Sequence, residues 1–211
     1  MAEQLLLGID YEGIAQEVRK RGRVKAGEMV LATRLVPTLL GPEGLAINRR
    51  MEGWAYLCRT PNGFQVVANP AAPDIRFHVS HEIGEWSLQV IAPFRGTEAQ
   101  REQAANRIAA AILAPAAEVR AAYARFGERI APMAAHFGLS QTSMVLRVAE
   151  VRRDERAVVT RSGNVLLRTH GAFDWDAVPV VDVARGKPWR GLAKARLSGG
   201  IDEGRVALRA K

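Results

Sequence analysis

The chain has 211 residues, with 30 Lys and Arg against 22 Asp and Glu and a formal net charge of +8. That length suits one domain, or a core with a small appendage, and can bury a sizeable interior. No apolar run is long enough to span a bilayer as a helix, and a single cysteine, Cys58, excludes an internal disulfide.

The opening stretch Met1–Gly8 has too short an apolar block and no basic flank for a secretion signal, so the expected location is the cytoplasm. A short helix is expected over residues 11–21, with Ile14 and Val18 facing inward and Gly22 ending it. It carries the densest basic group, Arg19-Lys20-Arg21-Gly22-Arg23. The net charge attracts polyanions, yet no aromatics interleave with this group as a single-strand stacking platform requires. Residues 27–41 pattern as helix up to Pro42-Glu43-Gly44, with Pro37 a possible break. Two strands follow, Trp54–Arg59 and Phe64–Ala68, around the turn residues Thr60-Pro61-Asn62-Gly63. Cys58 falls in the first strand and is expected to act as a small buried hydrophobe.

A helix from Asp74 or Ile75 to Val90 then carries His81-Glu82-Ile83-Gly84-Glu85. In H-E-x-x-H on a helix, residues i and i+4 share a face and bind one metal, and the Glu between them is the general base toward water. Here Glu85 takes the place of the second histidine, and a carboxylate also ligates divalent metals. An isolated H-E-x-x-E is more often a solvated, charged helix face than a metal site. Additional support lies in the next helix, with Thr97 and Gln100 as a capping box and a stop near Pro115. Ala105, Ile108, Ala109, Ile112 and Leu113 give it an apolar face. Glu102 stands near the edge of that face, where it can supply a third protein ligand and leave one position open. His78, three residues before His81, points roughly the same way. It is either a further ligand or a structural neighbour of the site.

Several blocks in order then resemble the ImmA/IrrE family of metallopeptidases. They are Val66-Val67-Ala68-Asn69, Arg76-Phe77-His78-Val79-Ser80-His81-Glu82-Ile83-Gly84-Glu85, Glu102-Gln103-Ala104-Ala105-Asn106 with Ala109, and Ile112-Leu113-Ala114-Pro115. The match spans about residues 55–150. The resemblance implies that His81 and Glu102 are metal ligands and Glu82 the general base, with Glu85 at the place of the family's second histidine. It implies an α+β fold, with a zincin-like helical core and small sheet over residues 1–151; residues 152–211, where strand patterning and glycine-rich turns take over, read as a small β-rich extension. The implied substrate is a repressor-type DNA-binding regulator, in stress response or mobile-element control. Zinc is the first expectation for a single divalent metal. A ligand set of two carboxylates and one imidazole also suits manganese or iron.

Downstream, a helix is expected over Ala117–Arg125 and a helical pair over Arg129–Val151. The pair carries a rival reading. Ala134, Gly138 and Met144 fit a helix-turn-helix, Ser140 fits the cap of its second helix, and Arg147, Arg152 and Arg153 are placed to meet phosphates. Gln141 is a base-reading candidate, but few phosphate contacts surround it, so only weak direct nucleic-acid binding is expected. His136 is expected to pack or cap, and His170 has no assigned role. Beyond residue 152, strands are expected at Ala157–Thr160 and Val165–Thr169 around a hairpin turn, then at Val178–Val183 and Val206–Leu208. Two functions remain: a metal-dependent endopeptidase, or a catalytically altered relative that regulates by binding protein or DNA through residues 130–151. No membrane partner is expected.

Overall fold

The computed structural model describes residues 9–127 and 129–152, and the backbone of four strands beyond them. The fold is mixed α+β, with seven helices among the described residues. No described helix is long and apolar enough to cross a membrane. The chain divides into two compact units, Met1–Pro115 and Ala116–Lys211.

The first unit opens with α1, Tyr11–Arg21, whose N-cap Asp10 accepts a hydrogen bond from the Gly13 amide at 2.8 Å. Ile14, Ala15 and Val18 are buried. Arg19 joins them, only 6% exposed, and donates to the carbonyls of Ile112 at 2.8 Å and Lys25 at 2.9 Å. The expected basic patch is therefore partly consumed by the fold. Arg19 is a structural cation, and Arg21 is paired with Glu17 at 2.7 Å.

The next helix, α2, covers Ala32–Leu40 and is shorter than the expected 27–41. Gly27 takes a left-handed φ of 71°, and the Glu28 carboxylate accepts from the Lys25 amide. This local turn holds residues 25–28 out of the helix, and Leu31 then enters as an extended N-cap. Pro37 lies inside α2 without ending it.

Three strands form the first sheet: β1 (Leu45–Ile47), β2 (Ala55–Thr60) and β3 (Gly63–Ala68), in the order β1-β3-β2. The expected hairpin forms, with Ala55 opposite Ala68 and Thr60 opposite Gly63. Gly63, at φ 127°, supplies the backbone conformation that an L side chain resists. β1 adds in parallel to β3, Leu45 opposite Val66. That leaves β3 central, with Val66, Val67 and Ala68 buried, and β2 on the edge. Cys58 on β2 is half-buried, with its thiol 3.4 Å from the Gln65 carbonyl.

Helices α3 (Ile75–Val90) and α4 (Glu98–Leu113) then pack on each other, α3 against β2 and β3 and α4 against α1. The capping box at Thr97 and Gln100 is present. Ile83, Ile108 and Ile112 are fully enclosed, and with Val66, Val18 and Leu35 they make up much of the core.

The second unit contains α5 (Ala116–Phe126), α6 (Ile130–Phe137) and α7 (Gln141–Arg152). Gly138 ends α6 in the left-handed conformation at φ 61°, and Ser140 Oγ accepts from the Ser143 amide at 3.2 Å, as its capping role requires. A second, antiparallel sheet comprises β4 (Glu155–Val159), β5 (Val165–Arg168), β6 (Leu192–Arg196) and β7 (Arg205–Arg209), in the order β5-β4-β7-β6. The expected hairpin is present as β4 and β5. The expected strand Val178–Val183, Arg153 and His170 lie outside the described residues.

Candidate metal centre

The site is built where α3 crosses α4. A Cβ placed on Gly84 would lie 2.7 Å from the Ala105 carbonyl oxygen and 3.1 Å from its Cα, so the helices meet there backbone to backbone. On α3, His81 and Glu85 flank this contact at i and i+4 spacing. On α4, Glu102 precedes Ala105 by three residues and Asn106 follows it. The close approach lets short carboxylate side chains from one helix reach the other.

His81, Glu85 and Glu102 each offer a ligand atom, all within 4.8 Å of one another. His81 Nε2 stands 3.3 Å from Glu102 Oε2, and its Nδ1 stands 3.0 Å from Asn106 Oδ1. An amide oxygen only accepts, so Nδ1 carries the proton toward Asn106. In a neutral ring Nε2 then presents a lone pair to the Glu102 carboxylate. Two acceptors facing each other need a cation between them, either a proton on Nε2 or a metal. Ligating histidines are commonly oriented by such a partner on the far nitrogen.

Glu85 is 8% exposed. Its Oε2 lies 3.1 Å from Arg101 Nε, an ion pair by distance although the N–H is not aimed for a hydrogen bond. Its Oε1 is buried with no hydrogen-bond partner among the described residues. A buried carboxylate with one orphaned oxygen, grouped with a second carboxylate and an imidazole, is a donor set that fits a divalent metal. Burial pushes the Glu85 carboxyl above its ordinary value; Arg101 opposes that rise and Glu102 adds to it.

Glu82 sits beside the cluster and is not one of the three. Burial raises its affinity for a proton, while His81 and a hydrogen bond from the Leu57 amide of β2 oppose the rise. His78 lies outside the cluster as well. Its ring packs on Trp54 with centroids 4.0 Å apart and meets Phe77 edge-on at 6.1 Å. Burial there depresses the His78 pKa.

The structure thus brings together the three ligand residues expected from spacing. It adds two partners that spacing did not assign, Asn106 and Arg101. Asn106 stands one turn after Glu102 on the same face of α4, a spacing visible in the sequence, whereas Arg101, adjacent to Glu102, meets Glu85 only through the crossing of the two helices.

The rival helical pair is different. Arg147, expected to meet phosphates, is 2% exposed and donates to Glu150 at 2.8 Å. Arg152 stacks over Tyr123 with its guanidinium 3.9 Å from the ring centroid. His136 packs between Phe126 and Phe137, in keeping with a packing role.

Neither a family model nor a curated protein matches the sequence. Among solved structures, a Mycobacterium tuberculosis transcriptional regulator has a similar fold. The TM-score is 0.64 at 16% identity, over 94% of this chain and 74% of that one. The likeness is one of fold.

Proposed function

We propose that this protein is a metal-dependent endopeptidase of the ImmA/IrrE type. The observation that carries this reading is the convergence of His81, Glu85 and Glu102 from two helices, one oxygen of the Glu85 carboxylate being buried without a hydrogen-bond partner among the described residues. One divalent ion, zinc first with manganese or iron as alternatives, would be held by these residues and would supply Lewis acidity toward a peptide carbonyl and the attacking water.

The chain's own residues account for the remaining work. Glu82, anchored by the Leu57 amide, takes the proton of the attacking water and returns one to the leaving amine. Its raised proton affinity suits a group that must hold a proton and then release it. Asn106 keeps the His81 ring oriented. An extended segment laid along the edge strand β2 would run near Glu82, which the Leu57 amide of that strand contacts. By the family resemblance, the substrate is a repressor-type DNA-binding regulator; the single cysteine suits a reducing, cytoplasmic setting.

The test is incubation of metal-loaded protein with repressor-type regulators, with products read by mass spectrometry. The wild type should cut at a defined position, and Glu82→Gln should not cut at equal metal content. Undiminished cleavage by Glu82→Gln would remove the proposed general base.

A second reading, a regulatory binding module, has one observation in its favour: a solved chain of similar fold is a transcriptional regulator. The burial of Arg147 speaks against α7 as its DNA-reading element.

A further inference from the structure

The two oxygens of Glu85 have unlike surroundings. Oε2 faces the Arg101 guanidinium at 3.1 Å, and Oε1 is buried without a partner among the described residues. Arg101 is itself held from the other side by the Glu98 carboxylate, one turn earlier on α4. The cation is therefore fixed in place between a surface carboxylate and a buried one. Its own side chain is 38% exposed, against 11% for Glu85.

We infer that Arg101 is the positioning residue that lets Glu85 serve as a metal ligand, by holding Oε2 and leaving Oε1 to the ion. The inference rests on the metal reading above and deepens it. An imidazole at position 85 would be a neutral donor. Glu85 with Arg101 is also neutral as a pair, so together they replace one uncharged ligand with another. Without Arg101, the buried Glu85 carboxylate lacks its counter-charge and the contact that holds Oε2, so its orientation toward the ion is lost.

This assignment makes the effect of Arg101 depend on residue 85. With Glu85 present, the guanidinium supports binding. With histidine there, the same guanidinium faces an imidazole and a dication with no carboxylate between them, and it opposes binding. Glu85→His alone, which restores the familiar H-E-x-x-H spacing, should therefore weaken zinc binding rather than tighten it.

The test titrates metal-free protein with zinc against a chromophoric chelator, with a melting curve for each metal-free variant to confirm folding. Arg101→Gln should weaken zinc about tenfold, the scale of loss when a ligand's supporting partner is removed. Arg101→Lys should retain most of the affinity. Glu85→His should also lose about tenfold, and adding Arg101→Gln to Glu85→His should recover that loss. If Arg101→Gln does not fold, the comparison of Glu85→His with the double variant carries the test: recovery supports the inference and no recovery overturns it. Stoichiometric zinc in the wild type with no change in Arg101→Gln, or the same direction of change in both backgrounds, overturns the role of Arg101 and leaves the metal reading standing. A wild type that binds no zinc overturns both.

Discussion

Gly84 and Ala105 touch backbone to backbone: a methyl group on Gly84 would come within 2.7 Å of the Ala105 carbonyl oxygen. The contact sets the spacing between α3 and α4, and the three candidate ligands sit around it. Gly84→Ala must push the helices apart, since the obstructing atoms are backbone rather than a yielding side chain. The expected cost is about 1–3 kcal/mol of stability, as for other over-packed cores. Denaturant unfolding measures it. Zinc affinity should fall in the same variant, because Glu102 moves away from His81. A Gly84→Ala protein of unchanged stability would show that the crossing is looser than described.

In metal-free protein, pH should act through Glu82 and Glu85. Burial raises both carboxyls above the ordinary value of 4.5. The folded state then binds protons more tightly than the unfolded state. Their stabilising contribution is present below the ordinary carboxylate range and is lost as pH rises toward the raised values. Glu82→Gln removes one of these groups. Its metal-free form should melt higher than wild type at neutral pH and show a flatter dependence of melting temperature on pH. A melting profile parallel to wild type would mean that Glu82 is not strained by burial.

The two histidines of α3 should behave oppositely. His81→Ala leaves two carboxylates from different helices and should abolish stoichiometric metal binding. His78→Ala removes a ring that packs on Trp54 and should leave metal affinity unchanged while lowering stability modestly. Equal losses of metal in both variants would place His78 in the ligand set.

Arg147 should matter for folding rather than for nucleic acid. Its side chain is buried and donates to Glu150, so Arg147→Ala should cost about 1–3 kcal/mol, from the lost packing of the buried stem and the lost charge-assisted hydrogen bond. Duplex binding by the wild type should be weak, steeply salt-dependent and indifferent to sequence. A selective nanomolar complex at physiological salt would move the protein into the regulator class.

Much of this architecture was legible from local signals. Gly22 ending α1, the Thr97–Gln100 capping box and the Pro61-Asn62 turn act within a few residues, and each stands where the sequence placed it. The change from helical to strand patterning near residue 152 also matches the end of α7 and the start of β4. β1 was missed because Leu45-Ala46-Ile47 is too short to announce itself and is defined by parallel pairing with Val66–Ala68, about twenty residues on. The start of α2 was misplaced because a turn closed by Glu28 competes with helix. β6 was missed because Leu192–Arg196 lies in a glycine-rich stretch of sequence with no clear alternation. At the site, i and i+4 spacing was enough to select His81 and Glu85. The roles of Arg101 and Asn106 depend on how α3 crosses α4, which periodicity does not encode.

The central claim is that one metal ion sits among His81, Glu85 and Glu102. Anomalous diffraction from crystals soaked in zinc tests it directly. The account predicts one strong peak within bonding distance of His81 Nε2 and of carboxylate oxygens of Glu85 and Glu102, lost in His81→Ala. A map with no peak there, or with zinc only at surface sites, would contradict it.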